Sequence, residues 1–351
     1  VADSREGAPV GSGKAARSDG STSVSVSVKI AQIAELAGVS VPTVSKVLNG
    51  RPGVSGETRS RVEELINEYG YRKPSDNKQK YVELIFRELE SMWVGEIIRG
   101  VEEVARRNRA GVVVSKFGLH DADASVDDTV GRRPLCVLSV FQLPEAERER
   151  LKAKGIPYVV FDPVDDVPEG VPYVGATNFK GSQSATRHLI ALGHRRIAMV
   201  SGPDHAFCLA RAAGYRSALE AAGLPVDPDL TVRSQLTREG GQAAARTLLG
   251  RPDRPTAIVT ANDMQALGVY QAAREAGLRI PQDLGVVGFD DMPVAVWADP
   301  PLTTVRQPLS EMAASATELA LALGRGERVP QLGLEIATEL VVRQSTAPPQ
   351  S

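Results

Sequence analysis

Residues 41–49 read Val-Pro-Thr-Val-Ser-Lys-Val-Leu-Asn, and two kinds of side chain recur there at helical spacing. Val44, Val47 and Leu48 make an apolar face. Val41, Pro42, Thr43, Ser45, Lys46 and Asn49 fall outside it and are small, hydroxyl-bearing or basic. Such a face can lie against duplex DNA. The Lys46 ammonium can donate to guanine O6 or N7, Val41 and Pro42 can pack on a thymine methyl, and Thr43, Ser45 and Asn49 suit phosphates or neighbouring bases. Gly53, Val54 and Ser55 follow at a point where the chain would approach the DNA backbone.

The elements that must position this face are legible around it. Ile30, Ile33, Ala34 and Ala37 recur as one stripe of a preceding helix. Gly38 ends that helix, because glycine reaches left-handed backbone angles without strain. Ser40 has the chemistry to cap the next helix, and Pro42 is tolerated only in its first turn. Ser55 and Thr58 predict the cap of a third helix over about 57–69, with Val62, Leu65 and Ile66 inside and Gly70 as its stop. Three helices in so short a segment can bury one small core.

Beyond residue 81 short apolar runs alternate with amphipathic stretches. Runs at 82–86, 111–115, 135–140 and 158–161 read as buried parallel strands, with helices at 94–107, 121–130 and 145–154. A second series places strands at 196–201, 256–261 and 285–290, and helices at 209–222, 237–249, 262–276 and 308–323. The expected fold is α/β, with a three-helix N-terminal headpiece and two lobes, each a doubly wound parallel sheet. Lobe 1 is expected to comprise about 81–176 and 292–325, and lobe 2 about 177–291 and 326–346. The chain should cross between them near 175–178, 290–296 and 323–334.

In open α/β sheets ligands bind beyond the carboxyl ends of strands. That rule singles out Glu88, Ser91, Met92 and Trp93 after the first strand, and Asp162 after the fourth. In the second lobe it singles out Phe207, Arg211, Asn262, Asp263, Asp290 and Asp291. Carboxylates, a guanidinium and an amide converging on a cleft can share a sugar's hydroxyls, while an aromatic ring covers its C–H side. The expected effector contacts are Ser91, Trp93, Asp162, Phe207, Arg211, Asn262 and Asp290. Structural roles stay open for some: Trp93 as a helix anchor, Asp162 as a cap before Pro163, and Asn262 as a helix cap. Asp291 reads as structural.

The segment IAQIAELAGVSVPTVSKVLNGRPGVSGETRSRVEELINEYGYRKP resembles the headpiece of the lactose-repressor (LacI/GalR) family of bacterial transcription regulators. HLIALGHRRIAMVSG, RAAGYRSALEAAGL, TAIVTANDMQALGVYQAAREAGLRIPQDLGVVGFDD and PPLTTVRQP resemble its effector domain, a fold shared with periplasmic sugar-binding proteins. The resemblance runs from about residue 29 to 346. It implies a homodimeric regulator, a repressor by default, that binds operator DNA and senses a small sugar-like effector. It aligns Arg211 and Asp290 with effector-contacting residues, and Phe207 with a position where relatives vary their specificity. The linker at 73–80 departs from the family pattern. It has no leucine to wedge into the minor groove, and Pro74 and Asp76 oppose a helix. Lys73, Lys78 and Lys80 remain able to meet phosphates.

Bulk properties agree. The 351 residues suit two or three domains. The net charge is −2, yet residues 29–80 hold nine Lys/Arg against six Asp/Glu, a basic module on an acidic body. Residues 1–27 are small and polar, expected to be a disordered tail without a secretory signal, and Gly11-Ser12-Gly13-Lys14 lacks the spacing of a phosphate loop. No apolar run is long enough to span a bilayer, so no membrane partner is expected. Cys136 and Cys208 fit buried packing in a reducing cytoplasm. His188 and His194 do not share a helical face, so neither a metal nor a cofactor is expected. No acid/base or nucleophile motif appears, and an enzyme is not expected. A sugar-binding transport component would share the body's fold, but it would need a secretion signal and no helix-turn-helix.

Overall fold

The computed structural model describes residues 30–69, 71, 80–90, 92–118 and 125–350. The expected tail, Gly70, nearly all of the 73–80 linker, Ser91 and the start of the 121–130 helix lie outside the described residues. The chain divides into two compact units, with the boundary between Lys78 and Gln79.

The first unit holds α1 (Ile30–Ala37), α2 (Val41–Leu48) and α3 (Gly56–Glu68). Ile33, Ala34, Ala37, Val44, Val47, Val62 and Tyr71 close one core, with Leu48, Val54, Leu65 and Ile66 at its margin. Gly38 sits at φ +67°, the angle that lets α1 stop and the chain turn into α2. Ser55 caps α3 as expected, its hydroxyl accepting from the Thr58 amide. Ser40 does not cap α2 through its side chain. Its hydroxyl pairs with that of Thr43 at 2.9 Å instead, and the first turn is started by Pro42.

The second unit contains two six-stranded sheets. The first uses β1 (Tyr81–Phe86), β2 (Gly111–Lys116), β3 (Cys136–Ser139), β4 (Tyr158–Phe161) and β5 (Tyr173–Ala176). Helices α4 (Trp93–Arg107), α5 (Val126–Arg132) and α6 (Glu145–Ala153) connect them. The chain then enters α7 (Asn178–Ala191), β6 (Ile197–Ser201), α8 (Ala206–Ala221), β7 (Thr231–Arg233) and α9 (Arg238–Leu249). The second lobe continues with β8 (Ala257–Thr260), α10 (Asp263–Glu275), β9 (Gly285–Asp290), α11 (Pro293–Trp297) and β10 (Thr303–Arg306). Last come α12 (Leu309–Gly324), β11 (Gly333–Ile336) and β12 (Glu339–Val341).

The strand orders are β11-β5-β4-β3-β1-β2 and β12-β10-β9-β8-β6-β7. All pairs are parallel except β10 with β12, an antiparallel edge. This topology moves two of the expected crossings. The strand at 303–306 belongs to the second sheet, so the chain crosses at Gln307–Pro308 rather than near 290–296. Helix α12 packs with α4 in lobe 1, and β11 pairs with β5 there, so the last crossing falls at Ala337–Thr338 rather than near 323–334. The first crossing, at Thr177, lies within 175–178. Thr177 and Thr338 bind each other across it, hydroxyl to hydroxyl at 3.1 Å, and the Thr338 amide donates to Thr177 Oγ1 at 2.9 Å.

Two features fix the lobes internally. Helices α9 and α10 touch backbone to backbone: a Cβ on Gly268 would stand 2.1 Å from the Arg238 carbonyl oxygen. The chain's end straps lobe 2, with His194 bonding Thr256 and the Ala347 carbonyl and His188 bonding Thr346. Cys136 and Cys208 are buried free thiols, pushed up to about 12 and about 11, above all by burial. Among the described residues no helix is long and apolar enough to cross a membrane.

Candidate functional sites

In the headpiece, α2 presents Val41, Pro42, Lys46 and Asn49 to solvent and half-buries Thr43 and Ser45. The sequence-derived set is therefore brought to one surface, but not all of it is idle. Thr43 is bonded to Ser40, and the Asn49 amide turns back on Ser45, donating to its carbonyl oxygen at 2.6 Å. Val54 leans on the core, Ser55 caps α3, and Gly53 adopts φ +92°. A Cβ at Gly53 would lie 3.9 Å from Lys46 Nζ, so the lysine ammonium passes over bare backbone. The Lys46 ammonium has no hydrogen-bond or ion-pair partner among the described residues. It is a free cation on a helix that contains no acidic residue in its first turn.

In the second unit a cavity of about 580 Å³ opens between the lobes, at the carboxyl ends of the strands. Trp93, Asp162, Phe207, Arg211, Asn262 and Asp290 all line it; Ser91 lies outside the described residues. Each is held by its own element. Trp93 begins α4 and packs on Phe86 with ring centroids 5.8 Å apart, so it both anchors the helix and walls the cavity. Asn262 caps α10, accepting from the Gln265 amide at 2.8 Å, while its own amide donates to the Leu236 carbonyl at 3.0 Å. Phe207 near the start of α8 stacks on His205 at 5.6 Å. The Asp162 carboxylate caps nothing among the described residues; its amide joins the strand ladder through the Val174 carbonyl.

Arg211 is the centre of this arrangement. It is 2% exposed, and its guanidinium carbon lies 3.6 Å from the Phe289 ring centroid and 5.0 Å from that of Phe207. Its Nε donates to Asn178 Oδ1 at 2.8 Å, and its Nη1 reaches the Ala261 carbonyl at 2.5 Å and Asp290 Oδ1 at 3.4 Å. A charge so deeply placed needs that full set of partners. Asp290 sits at φ +109°, a strained angle for a side-chain-bearing residue. Gln307 holds it there, donating from Nε2 to Asp290 Oδ1 at 2.9 Å. Asp162, at φ +44°, faces the same group from lobe 1. Burial raises its carboxyl to about 6; Arg211 pulls against this and Asp290 adds to it. Asp290 is likewise raised by burial, against the pull of Arg211 and Gln307.

Two neighbours resolve differently. Asp291 is structural, as expected, bound by Arg306 at 2.8 Å and Arg343 at 2.5 Å. Asp263, the first residue of α10, is fully buried and accepts from the Met292 amide at 2.7 Å and Thr304 Oγ1 at 2.5 Å; burial holds its carboxyl well above the usual range. The sequence reading missed Gln307, His205, Arg238 and Glu239 as lining residues. Gln307 directly follows β10 and Arg238 follows β7, so the strand-end rule would have found both had those strands been recognised.

A helix-turn-helix module with an exposed cation, joined in one chain to a two-lobed body whose cleft surrounds a buried arginine, defines a DNA-binding protein of the ligand-sensing class. Residues 29–74 match the family model described as bacterial regulatory proteins, lacI family, and residues 186–346 match that of a periplasmic binding protein-like domain. The chain is 36% identical to the HTH-type transcriptional regulator MalR of Streptomyces coelicolor, over 92% of this chain and 97% of that protein. It is 32% identical to the HTH-type transcriptional repressor CytR of Escherichia coli strain K12, over 90% and 95%. Among solved structures it is similar to the transcriptional regulator CelR–cellobiose complex (33% identity, 91% and 99% coverage, TM-score 0.68). It is also similar to the lac repressor dimer bound to operator and the anti-inducer ONPF (26% identity, 91% and 99% coverage, TM-score 0.72). The chain belongs to the lacI family of bacterial regulatory proteins and is a DNA-binding regulator of transcription.

Proposed function

We propose that this protein is a repressor that docks as a homodimer on a near-palindromic operator and is controlled by a sugar held between its lobes. It works where the chromosome is, in the cytoplasm, and catalyses no reaction on its effector. The observation that carries this reading is the free Lys46 on the exposed face of α2, in the same chain as a cleft built around Arg211. Val41, Pro42 and Lys46 meet base edges. Thr43, Ser45 and Asn49 meet phosphates or neighbouring bases, and Gly53, Val54 and Ser55 approach the DNA backbone, aided by the partial positive charge at the starts of α2 and α3.

In the cleft, Arg211 donates to effector hydroxyls while Asp162, Asp290 and Asn262 fix their orientation, and Trp93 and Phe207 offer apolar faces. The space favours more than one ring. A hexose, with twelve heavy atoms, fills at most about 360 Å³ even at water's roughly 30 Å³ each, against about 580 Å³ here. The similar CelR structure carries cellobiose. Because Asp162 belongs to lobe 1 and Arg211 and Asp290 to lobe 2, a ligand touching all three favours one lobe arrangement, and differential affinity for the two arrangements is what changes operator binding.

The test starts with selection of operators from random duplex by the full-length protein. We expect an inverted repeat. Disaccharides from a neutral panel are then added to the selected complex, and one of them should change operator affinity at least fivefold while being recovered unreacted. A selected site without two-fold symmetry, or a panel without effect on binding, contradicts the proposal.

A further inference from the structure

The segment that follows β4 leaves the first sheet and reaches lobe 2. The Asp162 amide still joins the ladder through the Val174 carbonyl, but a φ of +44° turns the chain out of the sheet there. Pro163 stiffens the next step, because its ring fixes φ. Two residues beyond Asp162, the Val164 carbonyl accepts a hydrogen bond of 2.7 Å from the Ala206 amide. Val164 lies between β4 and β5 of the first sheet, and Ala206 opens α8 of the second lobe. The bond therefore joins the lobes directly, and both of its partners are backbone.

Its donor has no competing use. Ala206 is the first residue of α8, where a helix leaves its amides without an intrahelical acceptor. Lobe 1 supplies the acceptor instead. Cleft residues flank both sides of the bond: Asp162 precedes Val164, and Phe207 and Arg211 follow Ala206 on α8. Val164 itself lines the cleft. The bond is also distinct from the crossings. Pro163 and Ala206 share a cavity of about 410 Å³ with Thr177 and Asn178, so open space rather than packed core lies between the bond and the first crossing.

We infer that Val164 and Ala206 form a clasp that holds the lobes together at one side of the cleft and sets the distance from Asp162 to the helix bearing Phe207 and Arg211. The clasp needs no ligand atom. The protein itself therefore favours this lobe arrangement, and an effector meets contacts that are already positioned. This goes beyond the reading of the cleft as a sugar site and does not depend on it. One backbone hydrogen bond shifts the balance between clasped and parted lobes about fivefold.

Proline at position 206 is a selective probe. His205 already has φ −83° and ψ 143°, the extended conformation that a residue before proline adopts, and the first position of a helix accepts proline. Ala206→Pro thus keeps α8, removes the N–H and places a ring carbon where the hydrogen points at the Val164 oxygen. Ala206→Ser keeps the amide and is the control. The experiment uses the full-length protein without sugar, spin-labelled at the exposed positions Lys152→Cys on α6 and Thr247→Cys on α9 and diluted with unlabelled protein. Pulsed electron resonance should give one dominant interlobe separation for the parent and for Ala206→Ser. In Ala206→Pro a different separation should gain on it at least about fivefold. Amide exchange of the parent is the second measurement, and the Ala206 amide should exchange at least about fivefold more slowly than an unprotected alanine amide. A distance distribution unchanged by proline, or an Ala206 amide that exchanges as freely as an unprotected one, overturns the clasp. If Ala206→Pro does not fold, the exchange rate decides alone. Neither measurement contains a sugar, so the sugar reading of the cleft stands or falls separately.

Discussion

Replacing Asp162 by asparagine should stabilise the empty protein at neutral pH while weakening its grip on a sugar. The folded state raises this carboxyl from 3.8 to about 6, mainly by burial. Between those values the folded state binds more protons than the unfolded one, so the contribution of Asp162 to stability falls as pH rises through the window and stays low above it. Two pH units correspond to about 3 kcal/mol at 1.36 kcal/mol each. Asparagine keeps the shape and removes the charge. At pH 7.5 the variant should therefore melt higher than the parent, by up to roughly 4–12 °C for a domain of this size, and near pH 4 the difference should vanish. Scanning calorimetry on both proteins from pH 4 to 7.5, without ligand, reads this directly. Comparing the pair isolates Asp162 from Asp290 and Asp263, whose carboxyls are also raised. A variant that melts lower than the parent at pH 7.5 would show that the Asp162 anion is a net stabiliser held by Arg211, and the account of a strained, ligand-awaiting floor would be wrong.

Other expectations concern the headpiece and the packing behind the cleft. Lys46→Ala should cost operator binding about 1–3 kcal/mol and relax selectivity at one base position per half-site; equal losses on operator and random duplex would reduce Lys46 to a phosphate contact. Ser55→Ala removes the cap of α3 and should cost the headpiece about 1 kcal/mol, seen as several-fold faster amide exchange in α3. Gly268→Ala forces a Cβ to within 2.1 Å of the Arg238 carbonyl oxygen, so chemical denaturation should report a loss of about 1–3 kcal/mol; an unchanged midpoint would mean that α9 and α10 can part freely.

Much of this fold was legible because its strands are buried on both faces and its headpiece helices carry dense apolar stripes. What was not legible had buried faces without apolar runs. Helix α7 buries Gly181, Ser182, Ala185, Thr186 and Leu189, mostly small or hydroxyl residues that leave no stripe to read. Strand β10 buries Thr303 and Thr304, whose hydroxyls are satisfied by the Arg343 amide and Asp263. Missing it shifted a lobe crossing and hid Gln307. Strand β12 is short and half-exposed at an antiparallel edge. The cleft was easier to find than the crossings around it, since strand ends alone located Trp93, Asp162, Arg211 and Asp290. Their burial, pairing and strain depended on contacts between distant segments, such as Arg211 with Asn178 and Ala261.

The central claim is that the exposed face of α2 reads base sequence and that occupancy of the cleft adjusts it. Fluorescence anisotropy with the selected inverted repeat and a scrambled duplex of the same composition tests this at physiological salt. The repeat should bind at least about a thousandfold more tightly than the scramble, and the bound sugar should change only the first of those affinities appreciably. Equal binding to both duplexes, with and without sugar, would contradict the account.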